Sequence, residues 1–165
     1  MITVTLGTIP FPFKRVIDWL SILLDCEVIS EPIFIQHGAT DISAIAEHPL
    51  VTAVPLLDFE SLMKKAQDSR LVISHAGQGS TRAFVEKGAS LILLPRLARY
   101  GEHIDNHQML FAKSVQELGV SVCLSLYELK QTVLQPPPYM QKQLFAGPKL
   151  SEYLSQKYPV ELVKC

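Results

Sequence analysis

The sequence predicts an α/β fold in which a doubly wound parallel sheet is followed by a C-terminal helical tail. Short apolar runs alternate along the chain with segments whose apolar residues recur at helical spacing. Glycine-containing loops separate several of these runs, as expected where a strand passes into a helix. Because parallel strands need crossover connections, usually helical ones, this alternation favours a sheet covered on both faces.

The first part of the chain predicts three strands and one helix. Residues 2–6 alternate β-branched and apolar side chains and end at Gly7, which indicates a strand followed by a tight loop. Residues 13–24 carry one apolar stripe at helical spacing, so we expect a helix there. Residues 33–36 and 51–57 are strand-like, and the stretch between them is ambiguous.

A second helix and a buried strand are predicted next. Asp58 is a suitable N-cap for a helix whose apolar face would contain Phe59, Leu62, Met63 and Ala66. Residues 71–74 form a continuous apolar run, which is typical of a strand buried on both faces.

The following loop leads into a helix over residues 81–87, closed by Gly88, and then into a strand over residues 91–94. These elements complete another strand–helix–strand unit.

The last part of the core is predicted as helix, strand and helix. Asp105 is a candidate N-cap for a helix that ends near Gly119 and carries Met109, Leu110, Val115 and Leu118. A strand is expected over residues 120–124. Ser125 and Glu128 then form a capping box for a helix bearing Leu126, Leu129, Val133 and Leu134.

The predicted domain covers residues 1–135, and a triple proline at 136–138 is expected to end its core. Residues 136–165 would form a proline-rich linker and a helical tail, interrupted by Gly147 and Pro148, with a small apolar face of Leu150, Tyr153 and Leu154. That tail is predicted either to pack on its own domain or to dock a partner.

Composition excludes several functional classes. The chain has 165 residues, 48% of them apolar, which suffices for the core of one ordinary domain. Fifteen basic and sixteen acidic residues give a net charge of −1, so a nucleic-acid partner is not expected. No apolar run approaches a membrane span or a signal peptide, and three cysteines without CxxC spacing fit a reducing cytoplasm.

The segment SHAGQGS at residues 74–80 is the most informative stretch. Gly77 and Gly79 would let backbone N–H groups approach an anion at a helix N-terminus, although such glycines also occur in plain chain reversals. A P-loop would need a lysine where Ser80 stands, and a nucleophile elbow would need serine between the glycines. A dinucleotide-binding GxGxxG would place glycine at Arg82.

A second polar segment, EHIDNHQ at residues 102–108, is expected at the same edge of the sheet. His103 and His107 have a spacing that metal ligands adopt on helices. A helix cap at Asp105 would leave His103 in the loop before the helix, and there is no second cluster of ligands, so neither a metal nor any cofactor is predicted. Hydrogen bonding to a polyhydroxylated ligand suits these side chains better than a metal does, and a solvated loop before a capped helix is the alternative. Arg96 and Arg99 would either neutralise phosphates or hold the loop in solution.

The run SHAGQGSTRAFVEKGASLILLPR, followed by EHIDNHQ, resembles the C-terminal, donor-binding domain of family 28 glycosyltransferases. With the opening VTLGT and Phe13, it is most similar to the soluble subunit of split members of that family. These include the dolichol-pathway UDP-N-acetylglucosamine transferase and bacterial exopolysaccharide glycosyltransferases. The resemblance covers roughly residues 1–125.

The resemblance implies a Rossmann-like domain that forms one half of a GT-B fold. It implies an inverting hexosyltransferase that takes GlcNAc, Glc, Gal or GlcA from a UDP-sugar to a polyprenyl-diphosphate-linked acceptor. A membrane-anchored partner subunit would bind that acceptor and hold the chain at the cytoplasmic face of the membrane. The alternative from another class is a non-catalytic nucleotide-sugar-binding or assembly protein.

The same resemblance implies roles for individual residues. Gly77, Gly79 and Ser80 would meet the diphosphate, with His75 and Gln78 in the same loop. Asn106 and Gln108 would contact the donor sugar, and Gly7 and Thr8 would line the floor of the cleft. Many members hold the ribose with an acidic residue where this chain has Ala83, so Glu102 is the expected substitute. No general base is evident; His75 and His103 are the only candidates, and the partner is expected to supply it.

Overall fold

Six parallel strands form the single sheet of the computed structural model, which describes residues 1–145. The strands are β1 (Ile2–Thr5), β2 (Ile33–Gln36), β3 (Val51–Val54), β4 (Leu71–Ser74), β5 (Leu91–Leu93) and β6 (Ser121–Val122). The helices are α1 (Lys14–Asp25), α2 (Phe59–Gln67), α3 (Gln78–Glu86), α4 (His107–Glu117) and α5 (Leu126–Leu134), with a short 3₁₀ turn at Ala98–Tyr100.

The strand order is β3-β2-β1-β4-β5-β6, and every neighbouring pair is parallel. This order is that of a doubly wound, Rossmann-like sheet, so the predicted fold class is confirmed. Strands β1, β2 and β4 are buried along their whole length because both faces of the sheet are covered.

Two apolar clusters fill the two faces. Helices α1 and α5 contribute to the first cluster, in which Leu20, Leu23, Leu129 and Val133 pack against the sheet. Helices α2, α3 and α4 contribute to the second, through Met63, Phe84, Val85 and Val115 among others. The helix after β1 and the helix after β4 therefore lie on opposite faces. Because β1 and β4 are adjacent, a crevice opens between their outgoing loops at the carboxyl edge of the sheet.

Several predicted boundaries differ from the structure. The first and third strands end earlier than predicted, at Thr5 and Val54, and the last consists only of Ser121–Val122. Helix α3 begins at Gln78 rather than at residue 81, so the second glycine of SHAGQGS lies within the first helical turn. Asn106, not Asp105, occupies the N-cap position of α4. The N-caps Asp58 and Ser125, the latter with a complete capping box, are confirmed.

The predicted apolar faces are partly wrong. Phe59, Leu110, Leu118 and Leu134 are exposed rather than buried. In α4 the predicted Val115 is buried, but the other buried residues are Gln108, Phe111 and Ala112, which recur with it at helical spacing.

The core does not stop at the triple proline. Leu144 is buried in the second cluster, and the Ser90 hydroxyl donates to the carbonyl of Pro137 at 2.6 Å. The predicted tail helix with Leu150, Tyr153 and Leu154 lies outside the described residues. Within residues 1–145, none of the helices has the length and hydropathy needed to cross a bilayer.

Candidate functional site

The loops that follow β1, β4 and β5 meet at the carboxyl edge of the sheet, around the crevice. The first loop begins at Gly7, the second covers residues 75–77, and the third runs from Pro95 to Asn106. Hydrogen bonds tie them together: the His75 N–H donates to the Thr5 carbonyl at 3.2 Å, and the Leu94 N–H donates to Ser74. The predicted site residues all lie on these loops or at the helix starts beside them.

The imidazole of His75 fills a slot between two glycines. A Cβ atom at Gly7 would lie 2.7 Å from His75 Nε2, and one at Gly77 would lie 2.5 Å from the same atom. Both distances are shorter than any real Cβ contact, so these positions are glycine because the ring occupies their side-chain space. Gly7 also has a φ of +80°, which favours glycine in its own right.

His75 is uncharged in this slot. Burial, together with the nearby Arg96 guanidinium, lowers the pKa of His75 to about 4, although a hydrogen bond to Thr5 opposes that shift. Its Nδ1 lies 3.3 Å from the Thr5 carbonyl, so Nδ1 carries the proton and Nε2 the lone pair. The ring therefore brings no positive charge to an anion, and a base this weak is poorly matched to deprotonating a hydroxyl at neutral pH.

The N-terminus of α3 is bare backbone. Gly77 occupies the N-cap position, and no side chain caps the helix. The first-turn N–H groups of Gln78, Gly79 and Ser80 have no partner inside the helix and carry the positive end of its dipole. A Cβ built at Gly79 meets nothing within 4 Å, so this glycine faces open space rather than protein. The Ser80 hydroxyl donates back to the Gly77 carbonyl at 3.2 Å.

Arg96 neither neutralises an external phosphate nor reaches solvent. Its side chain is 1% exposed, and its guanidinium donates to the carbonyls of Leu6 at 2.6 Å, Phe11 at 2.7 Å and Glu102 at 3.1 Å. Burial lowers the pKa of Arg96 to about 10, partly offset by the Glu102 carboxylate, so the group stays protonated at neutral pH. Arg96 thus clamps the β1–α1 loop to the loop after β5.

Glu102 belongs to the same clamp. Arg15 donates two hydrogen bonds of 2.9 Å to the Glu102 carboxylate, and the Leu97 N–H donates to it at 2.8 Å. The residue is 2% exposed. Both oxygens of the Glu102 carboxylate already accept hydrogen bonds from the protein itself. This arrangement does not fit the expectation that Glu102 holds a ribose.

The side-chain amides of Asn106 and Gln108 each use their oxygen atom to accept a hydrogen bond from within the protein. Gln108 Oε1 accepts from the Arg96 N–H at 3.2 Å, and Asn106 Oδ1 accepts from the Ala98 N–H at 3.1 Å. Asn106 is exposed, whereas Gln108 is buried, so Asn106 is the more accessible to a sugar. Thr8 is exposed beside Gly7, and Gln36 Nε2 supports that turn by donating to the Gly7 carbonyl at 3.1 Å.

Comparison with protein families assigns the chain. Residues 1–144 match the model of the glycosyltransferase family 28 C-terminal domain. The chain belongs to this family. The match extends beyond the roughly 125 residues of the expected resemblance and includes the stretch in which Leu144 packs on the core.

Solved structures confirm the fold of this family 28 domain. MurG of Acinetobacter baumannii superposes with a TM-score of 0.56 at 20% identity, over 78% of this chain and 39% of that one. The glycotransferase of kitacinnamycin superposes with a TM-score of 0.55 at 16% identity, over 81% of this chain and 34% of that one. SnogD of Streptomyces nogalater gives 0.55 at 18% identity, also over 81% and 34%. The chain thus spans less than two fifths of these transferases. A search of curated proteins gave no match.

Sequence reasoning missed two parts of the site in this family 28 domain. Arg15 was not singled out, although it pairs with Glu102 and lies 4.8 Å from the Trp19 ring centroid and 5.4 Å from that of Tyr100. The spacing predicts Asp105 only as a helix cap, whereas its carboxylate contacts both His103 and His107. An arginine at the second position of the helix after β1 and an HxDxH spacing were the available signals.

Proposed function

We propose that the domain binds a UDP-sugar in the crevice between the loops after β1 and β4 and serves as the donor half of a glycosyltransferase. The observation that carries the proposal is the uncapped N-terminus of α3, where Gly79 opens onto free space. Three backbone N–H groups and the helix dipole would hold the diphosphate without any cation. Membership of family 28 supports a transferase rather than an unrelated phosphate binder.

The chemistry proposed is an inverting displacement. An acceptor hydroxyl attacks the anomeric carbon, the bond from that carbon to the diphosphate oxygen breaks, and UDP leaves with the electron pair. The α3 N-terminus stabilises the negative charge that develops on the leaving diphosphate. Asn106, with the free amide of Gln108, would hydrogen-bond the sugar, which we propose is GlcNAc, Glc, Gal or GlcA. The floor of the cleft would be formed by Gly7 and Thr8.

The acceptor side is proposed to come from outside this domain. His75 donates a hydrogen bond from Nδ1 to the Thr5 carbonyl and has a pKa of about 4. We therefore assign the general base to another domain or subunit rather than to His75. By resemblance to the split enzymes, that subunit is membrane-anchored and presents a polyprenyl-diphosphate-linked saccharide. The chain would then act at the cytoplasmic membrane face through its partner.

Nucleotide binding is tested by following unfolding of the purified chain with UDP, UDP-GlcNAc, UDP-Glc, UDP-Gal and UDP-GlcA. A ligand that binds only the folded state stabilises it by about 2.7 kcal/mol at one hundred times its Kd. Gly79→Val should abolish this protection by filling the open space at the N-terminus of α3. Glu86→Val, at the other end of α3, is the matched control and should keep it. Full protection of Gly79→Val would place the phosphates elsewhere.

Transfer to a lipid-linked acceptor then separates an enzyme from a nucleotide-sugar-binding protein without catalytic activity. We expect transfer only when the chain is combined with a membrane-anchored partner. Robust transfer by the purified chain alone would contradict the partner requirement. Binding of a UDP-sugar without transfer under any combination would favour the non-catalytic alternative.

A further inference from the structure

Three potential metal ligands converge just before α4. One ligand atom from each of His103, Asp105 and His107 lies within 4.8 Å of the other two. Asp105 Oδ1 is 3.3 Å from His103 Nδ1 and 2.5 Å from His107 Nδ1. The loop produces this cluster because the Asp105 carboxylate also accepts the backbone N–H of His107 at 3.0 Å, which starts the helix.

The ligand atoms are in suitable chemical forms. The backbone N–H of Asp105 donates to His103 Nδ1 at 3.3 Å, so that nitrogen is an unprotonated acceptor, and an ion would take the place of this long hydrogen bond. His107 Nδ1 lies 2.5 Å from Asp105 Oδ1, and its ring N–H donates its proton to that carboxylate. A metal ion would replace that proton, as metal binding to histidine generally does.

The distances from Asp105 to the two histidines fit a tetrahedral ion after a small adjustment. Ligand atoms about 2.0–2.2 Å from a zinc ion lie roughly 3.3 Å from one another. The His103–Asp105 pair is already at 3.3 Å. The distance between Asp105 Oδ1 and His107 Nδ1 would have to increase by about 1 Å. Both side chains have room to move because they are 54% and 52% exposed.

His103 provides the fixed side of the cluster. Its side chain is 10% exposed, it stacks on Phe11 with ring centroids 5.8 Å apart, and it meets the His107 ring edge-on at 4.4 Å. The positive end of α4, equivalent to roughly half a unit charge, opposes a cation here. The full negative charge of Asp105 outweighs it.

We propose that His103, Asp105 and His107 bind a divalent transition-metal ion of the zinc class, with a fourth position open to water or an oxyanion. Two imidazoles and one carboxylate are the ligand set of open, three-ligand zinc sites. His107 also lines the groove between α3 and α4 with Gln78 and Arg82, so the ion lies at the border of the proposed donor site. The proposal does not depend on UDP binding.

The test is calorimetric titration of the full chain with ZnCl₂, and with NiCl₂ as a second probe, in the absence of nucleotide. Cys26→Ser and Cys165→Ser form the common background, because free thiols also bind zinc. We expect one ion per chain, with affinity at least tenfold lower in Asp105→Asn and in His107→Gln. These two side chains are exposed, so both variants should fold, which circular dichroism verifies.

His48→Gln is the matched control and should bind zinc like the background protein. Absence of binding in the background, or unchanged affinity in both Asp105→Asn and His107→Gln, would overturn the proposal. Either result would leave the proposed donor site untouched, since protection by UDP is measured separately.

Discussion

The two loops that border the crevice on either side of α3 are built in opposite ways. The loop after β5 is rich in charged side chains, yet Arg96 and Glu102 are buried and bind the protein itself. The loop after β4 contains only small or neutral residues, and it leads into uncapped backbone N–H groups that face open space. In this domain the charges hold the site in shape, whereas the neutral backbone is left free for an anion.

Removing the Arg96 clamp should have the largest effect. Arg96→Met leaves three carbonyl groups, two of them in buried hydrogen bonds, without their donor. It should lower the free energy of unfolding by about 3–5 kcal/mol, the usual cost of breaking a buried charged network. Urea denaturation measures this loss. Arg99→Met, at an exposed position of the same loop, should change stability by less than about 0.5 kcal/mol. Similar values for the two variants would remove the distinction between a structural and a solvated arginine.

Substitutions at Gly77 and Gly79 should have different effects, one on stability and the other on binding of UDP. Gly77→Ala places a Cβ 2.5 Å from His75 Nε2 and should cost roughly 1–3 kcal/mol of stability through overpacking. Gly79→Ala meets no protein atom and should gain up to about 1 kcal/mol from helix propensity, while weakening protection by UDP. Urea denaturation with and without UDP measures both. Loss of stability in Gly79→Ala would show that its open space is needed by the protein.

The uncharged His75 should make this loop sensitive to acid. Its pKa is about 4 in the folded chain and near 6.5 when unfolded, so the unfolded state takes up the proton first as pH falls. Stability is complete above about pH 6.5 and declines toward pH 4, with a loss of about 1–2 kcal/mol between pH 7 and pH 5.

His75→Gln should remove that part of the pH dependence, and His48→Gln should retain it. Denaturation at pH 7 and pH 5 is the measurement. The range stays above the region where Asp41 and Asp58 titrate, because hydrogen bonds from the backbone N–H groups of Ser43 and Ser61 lower their pKa values. An unchanged pH dependence in His75→Gln would mean that the ring is charged in the folded state.

The sequence predicted the sheet better than the site. Strand residues such as Ile33–Gln36 and Leu71–Ser74 were placed correctly because continuous apolar runs between turn residues leave little choice. The α4 face was misjudged at Leu110, because Phe111, Ala112 and Val115 form a neighbouring apolar stripe at helical spacing, and it is this stripe that is buried. Glu102 was misjudged because its partner Arg15 is 87 residues away in the chain, a contact that spacing alone does not reveal.

The position of β1 has a consequence for how the domain is made. Ile2 pairs with Ile33 on one side and with Leu71 on the other, so the first strand of this domain lies in the middle of the finished sheet. Its second neighbour is synthesised only after two helices and two further strands. Such distant pairings make folding slower than local ones. The crevice between β1 and β4 therefore cannot form until β4 has been made, and a chain that stops before α3 lacks the uncapped N–H groups that we propose bind the diphosphate.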